Sequence, residues 1–133
     1  MESTQLIDFQ AGQVWQYETR EGEESSLAYI VKIDKEEEYG KIYHIYANNL
    51  SIKNPYVDSG IQSELLHAPV DEQTLTQSLT KLVDENDSMP NISDGYSTWR
   101  ESFDKGEAGV FNIPIKKIIQ FIEEVVGDAS NRR

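Results

Sequence analysis

Hydrophobic and polar residues alternate through the first half of the chain, which is the pattern of half-buried β-strands. Over residues 14–20, Trp15, Tyr17 and Thr19 fall on one face and Arg20 falls on the other. The same alternation, interrupted by turn residues, predicts further strands at 27–33, 41–47 and 61–67. The apolar face of the strand at 27–33 is expected to consist of Leu27, Tyr29, Val31 and Ile33.

The second half changes to apolar spacings of three and four, which indicate amphipathic helices. A first helix is predicted from the N-cap Asp71 through Val83, a second from Ser93 or Asp94, and a third that ends at Gly127. Their buried stripes are expected to be Leu75, Leu79, Leu82 and Val83; Tyr96, Trp99 and Phe103; and Ile115, Ile118, Ile119, Ile122, Val125 and Val126.

Strands followed by helices predict an α+β fold, because a parallel α/β sheet would need helices between its strands. We expect an antiparallel sheet of about four strands in the N-terminal half, packed by three C-terminal helices. The 133 residues fit a single domain, 1–133, with a disordered end at about 128–133.

Acidic residues outnumber basic ones two to one, with 24 Asp and Glu against 12 Lys and Arg and a net charge of −12. Nucleic-acid binders rely on basic residues to neutralise phosphates, so we expect no nucleic-acid partner. Cysteine is absent, which excludes disulfides, thiolate nucleophiles and cysteine-based zinc sites. The polar N-terminus shows no secretory pattern, and no apolar run approaches the ~20 residues of a membrane span. We therefore expect a cytoplasmic protein without membrane contact.

Arg20, Glu23 and Glu24 are the first candidate binding residues, at a predicted hairpin loop around Gly22. An arginine fork at the end of a strand can hold an anionic ligand or a carboxylate of a partner. The alternative is a surface ion pair in a solvated loop, which contributes only ~0–1 kcal/mol. We favour the surface pair, because hairpin tips are polar by default.

The segment 12–26, which begins Gly-Gln-Val-Trp, resembles the opening strand and loop of the RNA-cutting toxin family of MazF and PemK. That resemblance implies a small barrel and an RNase role. Ser26-Leu27-Ala28-Tyr29 stands where the family carries an Arg-Pro pair, so an RNase role would depend on Arg20 alone. Since the net charge opposes RNA binding, we interpret the likeness as a shared strand-and-hairpin pattern. The whole chain also resembles small acidic bacterial proteins that open with Gly-Gln-Val-Trp, a resemblance that implies no activity.

The two histidines, His44 and His67, lack the spacing of any catalytic or metal motif. One could act as a general base beside a carboxylate, or both could bind a metal with Glu64 or Asp58. The alternative is that each is half-buried on its strand, with His67 on the face of Leu65. We predict no catalytic residue, no metal and no cofactor, since glycine-rich phosphate loops are also absent.

Aromatic residues supply the remaining candidates. Trp99, with Tyr96 and Phe103, could line a ligand groove or form the buried stripe of its helix. Tyr43 and Tyr46 point to opposite faces of their strand, so we expect at least one to be exposed and available to a partner.

Two functions are consistent with these features. The first is a non-catalytic protein-interaction module for a basic partner, comparable to an immunity protein that blocks a basic toxin, because an acidic surface accelerates such encounters. The second is a small enzyme or ligand-binding protein with a pocket between sheet and helices, near Arg20 and the histidines. We favour the first.

Overall fold

The computed structural model describes residues 8–38, 40–86 and 88–131, without the side chains of 128–131. The fold is α+β, as predicted, with a five-stranded antiparallel sheet and a short two-stranded ribbon. The main strands are β1 (Gln13–Tyr17), β2 (Ala28–Glu36), β3 (Gly40–Ala47), β6 (Leu65–Val70) and β7 (Leu79–Glu85), and the ribbon pairs β4 (Ile52–Lys53) with β5 (Ile61–Gln62). The helices are α1 (Glu72–Ser78), α2 (Ser93–Asp104) and α3 (Ile115–Asn131).

The strands are arranged in the order β6-β3-β2-β1-β7. Within the described residues the sheet ends at β6 and β7, so it does not close into the small barrel that the toxin resemblance implies. Phe111 covers part of the β6 edge, where its N–H donates to the Pro69 carbonyl. None of the described helices has the length and apolar composition needed to cross a bilayer.

The prediction of one helix through Val83 is wrong. α1 ends at Ser78, and the chain continues as the edge strand β7, antiparallel to β1. Two β-bulges in β7 place Leu79 opposite Tyr17 and Leu82 opposite Trp15, on one face of the sheet. Bulges therefore produce in a strand the three-residue apolar spacing that normally indicates a helix.

One face of the sheet packs against α1 and α3 to form the main core. Leu75 of α1 and Ile115, Ile118 and Ile119 of α3 are fully buried there, as predicted. Val125 was expected in the same stripe, but it is exposed. α3 also continues past Gly127 to Asn131. The predicted disordered end at 128–133 falls partly on 132–133, outside the described residues, and stays a prediction.

The helix starts differ in how they are capped. Asp71 caps α1 as predicted, since its side chain accepts a hydrogen bond from the Thr74 N–H at 3.0 Å. Neither Ser93 nor Asp94 caps α2, whose N-cap position is Ile92 without a capping side chain. α2 lies on the opposite face of the sheet from α1 and α3, and Trp99 is its only buried residue. The attachment of α2 therefore depends on a small group of side chains.

Candidate functional site

His44 occupies the centre of the sheet face beneath α2. It lies on β3 opposite Lys32 of β2 and Pro69 of β6. Strand alternation places Tyr43 and Ile45 in the main core and His44 on the other side. His44 is 0% exposed, so every polar atom of its ring must find a partner within the protein.

A β-bulge in β2 brings Asp34 to His44. Ile30 pairs with Ile45 and Lys32 pairs with His44, which leaves Val31 as the extra residue. The prediction that Tyr29, Val31 and Ile33 share one face is therefore wrong. Ile33 packs against the main core, and Asp34 comes to the face of His44.

A second bulge brings His67 to the same place. Ala68 pairs with Ile45 and Leu65 pairs with Ala47, so Leu66 and His67 together lie opposite one residue of β3. Leu65 and Ala68 both face the main core, whereas His67 turns to the other face. The expectation that His67 shares the face of Leu65 is wrong for this reason. Bulges are common where a side chain must be redirected next to a functional site.

The three side chains form a hydrogen-bonded chain, which we call the histidine cluster (Asp34, His44 and His67). His44 Nε2 lies 3.1 Å from Asp34 Oδ2, and His44 Nδ1 lies 2.9 Å from His67 Nε2. The planes of the two imidazole rings lie within 15° of each other, with centroids 5.1 Å apart, as an in-plane hydrogen bond between ring nitrogens requires. The Tyr96 hydroxyl donates to the same Asp34 oxygen at 2.8 Å, and Arg100 approaches it at 3.5 Å.

Proton positions follow from this geometry. An ionised Asp34 only accepts, so neutral His44 carries its proton on Nε2 and accepts at Nδ1 from the Nε2–H of His67. The lone pair of His67 Nδ1 is then left, and none of the described residues hydrogen-bonds to it. The hydrogen-bonded cluster can therefore take up one proton, at His67 Nδ1. A second proton, on His44 Nδ1, would place two N–H donors against each other across 2.9 Å.

The pKa values of the cluster agree with neutral histidines. Burial, together with the neighbouring His44, lowers the pKa of His67 to about 4. Burial also lowers the pKa of His44, more than the Asp34 carboxylate raises it. Burial raises the pKa of Asp34, but the bonds from Tyr96 and His44 outweigh it and hold that pKa below its usual value.

α2 covers the cluster with aromatic edges and a glycine. The rings of Tyr96 and Trp99 meet the ring of His44 edge-on, with centroids 4.8 and 4.9 Å away. Trp99 is 8% exposed, and its indole N–H donates to the Gly109 carbonyl at 2.9 Å. Phe103 stacks on Trp99. Trp99 therefore packs α2 on the sheet, whereas Tyr96 also lines an open cavity with Lys32 and Ile92.

The described residues contain no group of three or more acidic or histidine side chains able to hold a metal ion. The facing nitrogens of His44 and His67 are bonded to each other. Glu64, which we considered as a metal ligand, instead accepts the hydroxyl of Tyr46.

Arg20 and Glu23 form a second cluster, on the other side of the sheet. Arg20 Nε and Nη2 donate to the two oxygens of Glu23 at 2.8 and 2.7 Å. Its Nη1 donates to Glu123 and Gln120 of α3, both at 3.1 Å. Glu23 is only 2% exposed and also accepts the Ser51 N–H at 2.7 Å. This pair is neither an open anion site nor a loose surface ion pair. Through its contacts with α3, Arg20 connects the loop after β1 to that helix.

The charges of this second cluster stabilise one another. The hydrogen bonds that Arg20 donates to the Glu23 carboxylate raise the pKa of Arg20. Burial raises the pKa of Glu23, but the Arg20 guanidinium and the Ser51 N–H more than offset it, so the pKa is lowered. Glu24 stays in solvent and accepts the Gly22 N–H at 2.9 Å.

Tyr43 and Tyr46 are both buried, so the expectation that one is exposed is wrong. Tyr43 belongs to the main core and Tyr46 lies against Tyr29 on the other face. Sequence reasoning missed Asp34, Gln120 and Glu123. Each contacts its partner only through long-range packing, and no local spacing indicates the contact.

The predicted pocket between Arg20 and the histidines does not form. Arg20 contacts α3 on one face of the sheet, and the histidines lie under α2 on the other. The cavity beside Leu66 and Gly95 and the cavity beside Lys32 and Tyr96 include neither Arg20 nor a histidine.

No protein-family model, no curated protein and no solved structure matches this chain.

Proposed function

We propose that this chain is a non-catalytic, cytoplasmic protein-interaction module that binds a basic protein. The observation that carries the proposal is that both guanidinium groups among the described residues, those of Arg20 and Arg100, are used in ion pairs within the protein. Arg20 is bonded to Glu23 and Glu123, and Arg100 is bonded to Glu36 and Asp104. Neither arginine is available to balance the other carboxylates.

The remaining acidic groups are mostly in solvent. Exposed carboxylates are spread over the loops, the edge strand and the helices: Asp8, Glu18, Glu21, Glu24, Glu37, Glu38, Asp58, Glu64, Glu72, Asp84, Glu85, Asp94, Glu101, Glu107 and Glu124. A field of this sign attracts cationic proteins and repels polyanions. It also accelerates association in a salt-dependent way, over ~8 Å at physiological ionic strength.

A basic toxin is one partner of this chemistry, in which case the chain would act as its immunity protein. A gene for a basic toxin next to the gene of this chain would support that version. Its absence would leave a basic partner of another kind.

The test begins with cross-linking in cells and identification of the bound protein by mass spectrometry. Association of the two purified proteins is then measured at increasing NaCl concentration. We expect a partner with a basic surface and an association rate that falls steeply with salt. An acidic or neutral partner, a salt-independent rate, or tight RNA binding at physiological salt would contradict the proposal.

Matched variants at one turn sharpen this test. Glu37→Gln and Lys35→Gln change the charge in opposite directions at neighbouring exposed positions. If net charge steers the encounter, the first slows association and the second accelerates it. Equal rates for both would oppose electrostatic steering.

A small enzyme is the second candidate, and the Asp34–His44–His67 chain is the observation that favours it. A carboxylate that orients one imidazole and leaves a lone pair on the next is the arrangement of a general base. Against it, no described serine, threonine or tyrosine hydroxyl bonds to His67 Nδ1. An enzymatic function would be established if the protein turns over a substrate and if His67→Gln abolishes this turnover while the variant still folds.

A further inference from the structure

We infer that the histidine cluster attaches α2 to the sheet in a pH-dependent way. It holds the helix on the sheet at neutral pH and releases it on acidification.

Outside the histidine cluster, α2 is held on the sheet mainly by Trp99 and by the ion pair between Arg100 and Glu36 of β2 at 2.7 Å. It is a 12-residue helix without a side-chain N-cap, and Trp99 is its only buried residue. A helix of this length is marginal in water without tertiary packing. Its contacts with the sheet involve the histidine cluster directly, through Tyr96, Trp99 and Gly95.

The fit is close at each of these points. A Cβ on Gly95 would come within 2.8 Å of His67 Cβ, so the first turn of α2 lies directly on that side chain. The hydroxyl of Tyr96 shares an oxygen of Asp34 with His44. A change in the position or the protonation of either histidine therefore alters the contacts that hold α2 on the sheet.

The docked helix favours neutral histidines. Docking removes His44 from water completely and leaves its two nitrogens bonded to Asp34 and His67. The charged groups that face the cluster are Asp34, Lys32 and Glu36 from β2 and Arg100 from α2, with the Tyr96 phenol. Of these, Asp34 favours a protonated His44, whereas Lys32 and Arg100 oppose it.

The difference between the histidine pKa values of the docked and released states determines how docking depends on pH. When α2 leaves, the imidazoles regain water and a pKa near the usual ~6.5, above the lowered pKa of the docked state. The released state therefore binds more protons. Docking is fully favourable above pH ~6.5 and weakens as the pH falls toward the pKa of about 4 of docked His67. Each proton taken up on release shifts the equilibrium roughly tenfold per pH unit.

The chain contains two histidines, and both belong to the cluster. Apart from an α-amino group, no other side chain type has an unperturbed pKa between pH 5 and 8. A reversible structural change in that range is therefore assigned to the cluster. Release of α2 would expose the sheet face that carries Ile42, His44 and Tyr46, which is buried in the docked state.

Hydrogen–deuterium exchange of the untagged full chain between pH 7.5 and 5 tests the inference, with rates expressed as protection factors to remove the pH dependence of intrinsic exchange. We expect α2 to lose protection below pH 6.5, by roughly tenfold per pH unit for each of the two imidazoles that takes up a proton, while α3 and β1 keep theirs. Unchanged α2 protection would overturn the inference. So would loss in α3 at the same pH, which would indicate global unfolding.

His67→Gln should roughly halve the slope of the pH dependence, because glutamine can donate to His44 but does not titrate in this range, so that His44 alone takes up a proton on release. Tyr46→Phe, on the same face of β3, is the matched control and should keep the wild-type slope. A wild-type slope in folded His67→Gln would contradict the inference. If that variant does not fold, an NMR titration measures the pKa values of the two imidazoles in the wild type. Values below the usual ~6.5 support the pH-dependent attachment of α2, and values at 6.5 or above overturn it.

Discussion

Gly95 and His67 are in such close contact that the helix and the strand leave no space for a methyl group between them. A Cβ at position 95 would meet His67 Cβ at 2.8 Å. Glycine lowers helix stability by up to ~1 kcal/mol relative to alanine, so its presence in the first turn of α2 is costly unless packing requires it. Here the packing of α2 on β6 requires it.

Gly95→Ala should therefore destabilise the protein, despite the better helix propensity of alanine. We expect a loss of about 1–3 kcal/mol in the free energy of unfolding, because α2 must shift away from the sheet. Urea denaturation measures it. Gly127→Ala in α3 is the matched control, since nothing apart from its own stretch of helix is found within 4 Å of an added Cβ. It should stabilise by up to ~1 kcal/mol. Equal effects of both substitutions would show that α2 is not packed closely on His67.

Trp99→Ala should cost ~3–5 kcal/mol, the usual loss for a buried large aromatic. The side chain is 8% exposed and touches both the histidine cluster and Phe103. Thermal unfolding followed by circular dichroism checks this. Phe121→Ala is the control, because Phe121 is 51% exposed on α3 and should change the melting temperature much less. A melting temperature unaffected by Trp99→Ala would mean that α2 contributes little to the fold.

Glu23→Gln should lower stability by ~1–3 kcal/mol, because it leaves Arg20 with half of its fork unpaired and weakens the bond to Ser51. Glu24→Gln, one residue away but in solvent, should leave the melting temperature unchanged. The lowered pKa of Glu23 adds a pH dependence. Its contribution is present above the unfolded value of ~4.3 and is lost as the pH falls through the lower folded value. The wild type should therefore lose more stability on acidification to pH 3 than Glu23→Gln loses.

Tyr17 and Tyr46 should ionise at a higher pH than ordinary tyrosines. Burial raises the pKa of Tyr17 to about 12, and burial with the Glu64 carboxylate raises that of Tyr46 to about 12. A raised pKa favours the neutral phenol in the folded state, so this stabilisation is full below pH ~10 and is lost as the pH rises toward 12. Ultraviolet titration at the phenolate band measures both. Glu64→Gln should lower the pKa of Tyr46 and leave Tyr17 unchanged, and a Tyr46 value unaffected by that substitution would contradict the assignment.

Local patterns predicted much of the architecture. Alternation over 14–20 and 41–47 predicted β1 and β3, and spacings of three and four at Ile115, Ile118 and Ile119 predicted α3. Asp71 capped α1 as expected. These features depend on neighbours within a few residues, so the sequence contains the information needed to predict them.

The sequence by itself determined the α+β order of elements, the acidic charge and the absence of cysteine chemistry. Only the tertiary structure decided the register. Bulges at Val31 in β2 and at Leu66–His67 in β6 reverse the face of every residue beyond them, and so unite Asp34, His44 and His67. Bulges in β7 likewise produced apolar spacings that resemble a helix. A bulge follows from how one strand pairs with the next, and pairing is settled by contacts between residues distant in the chain.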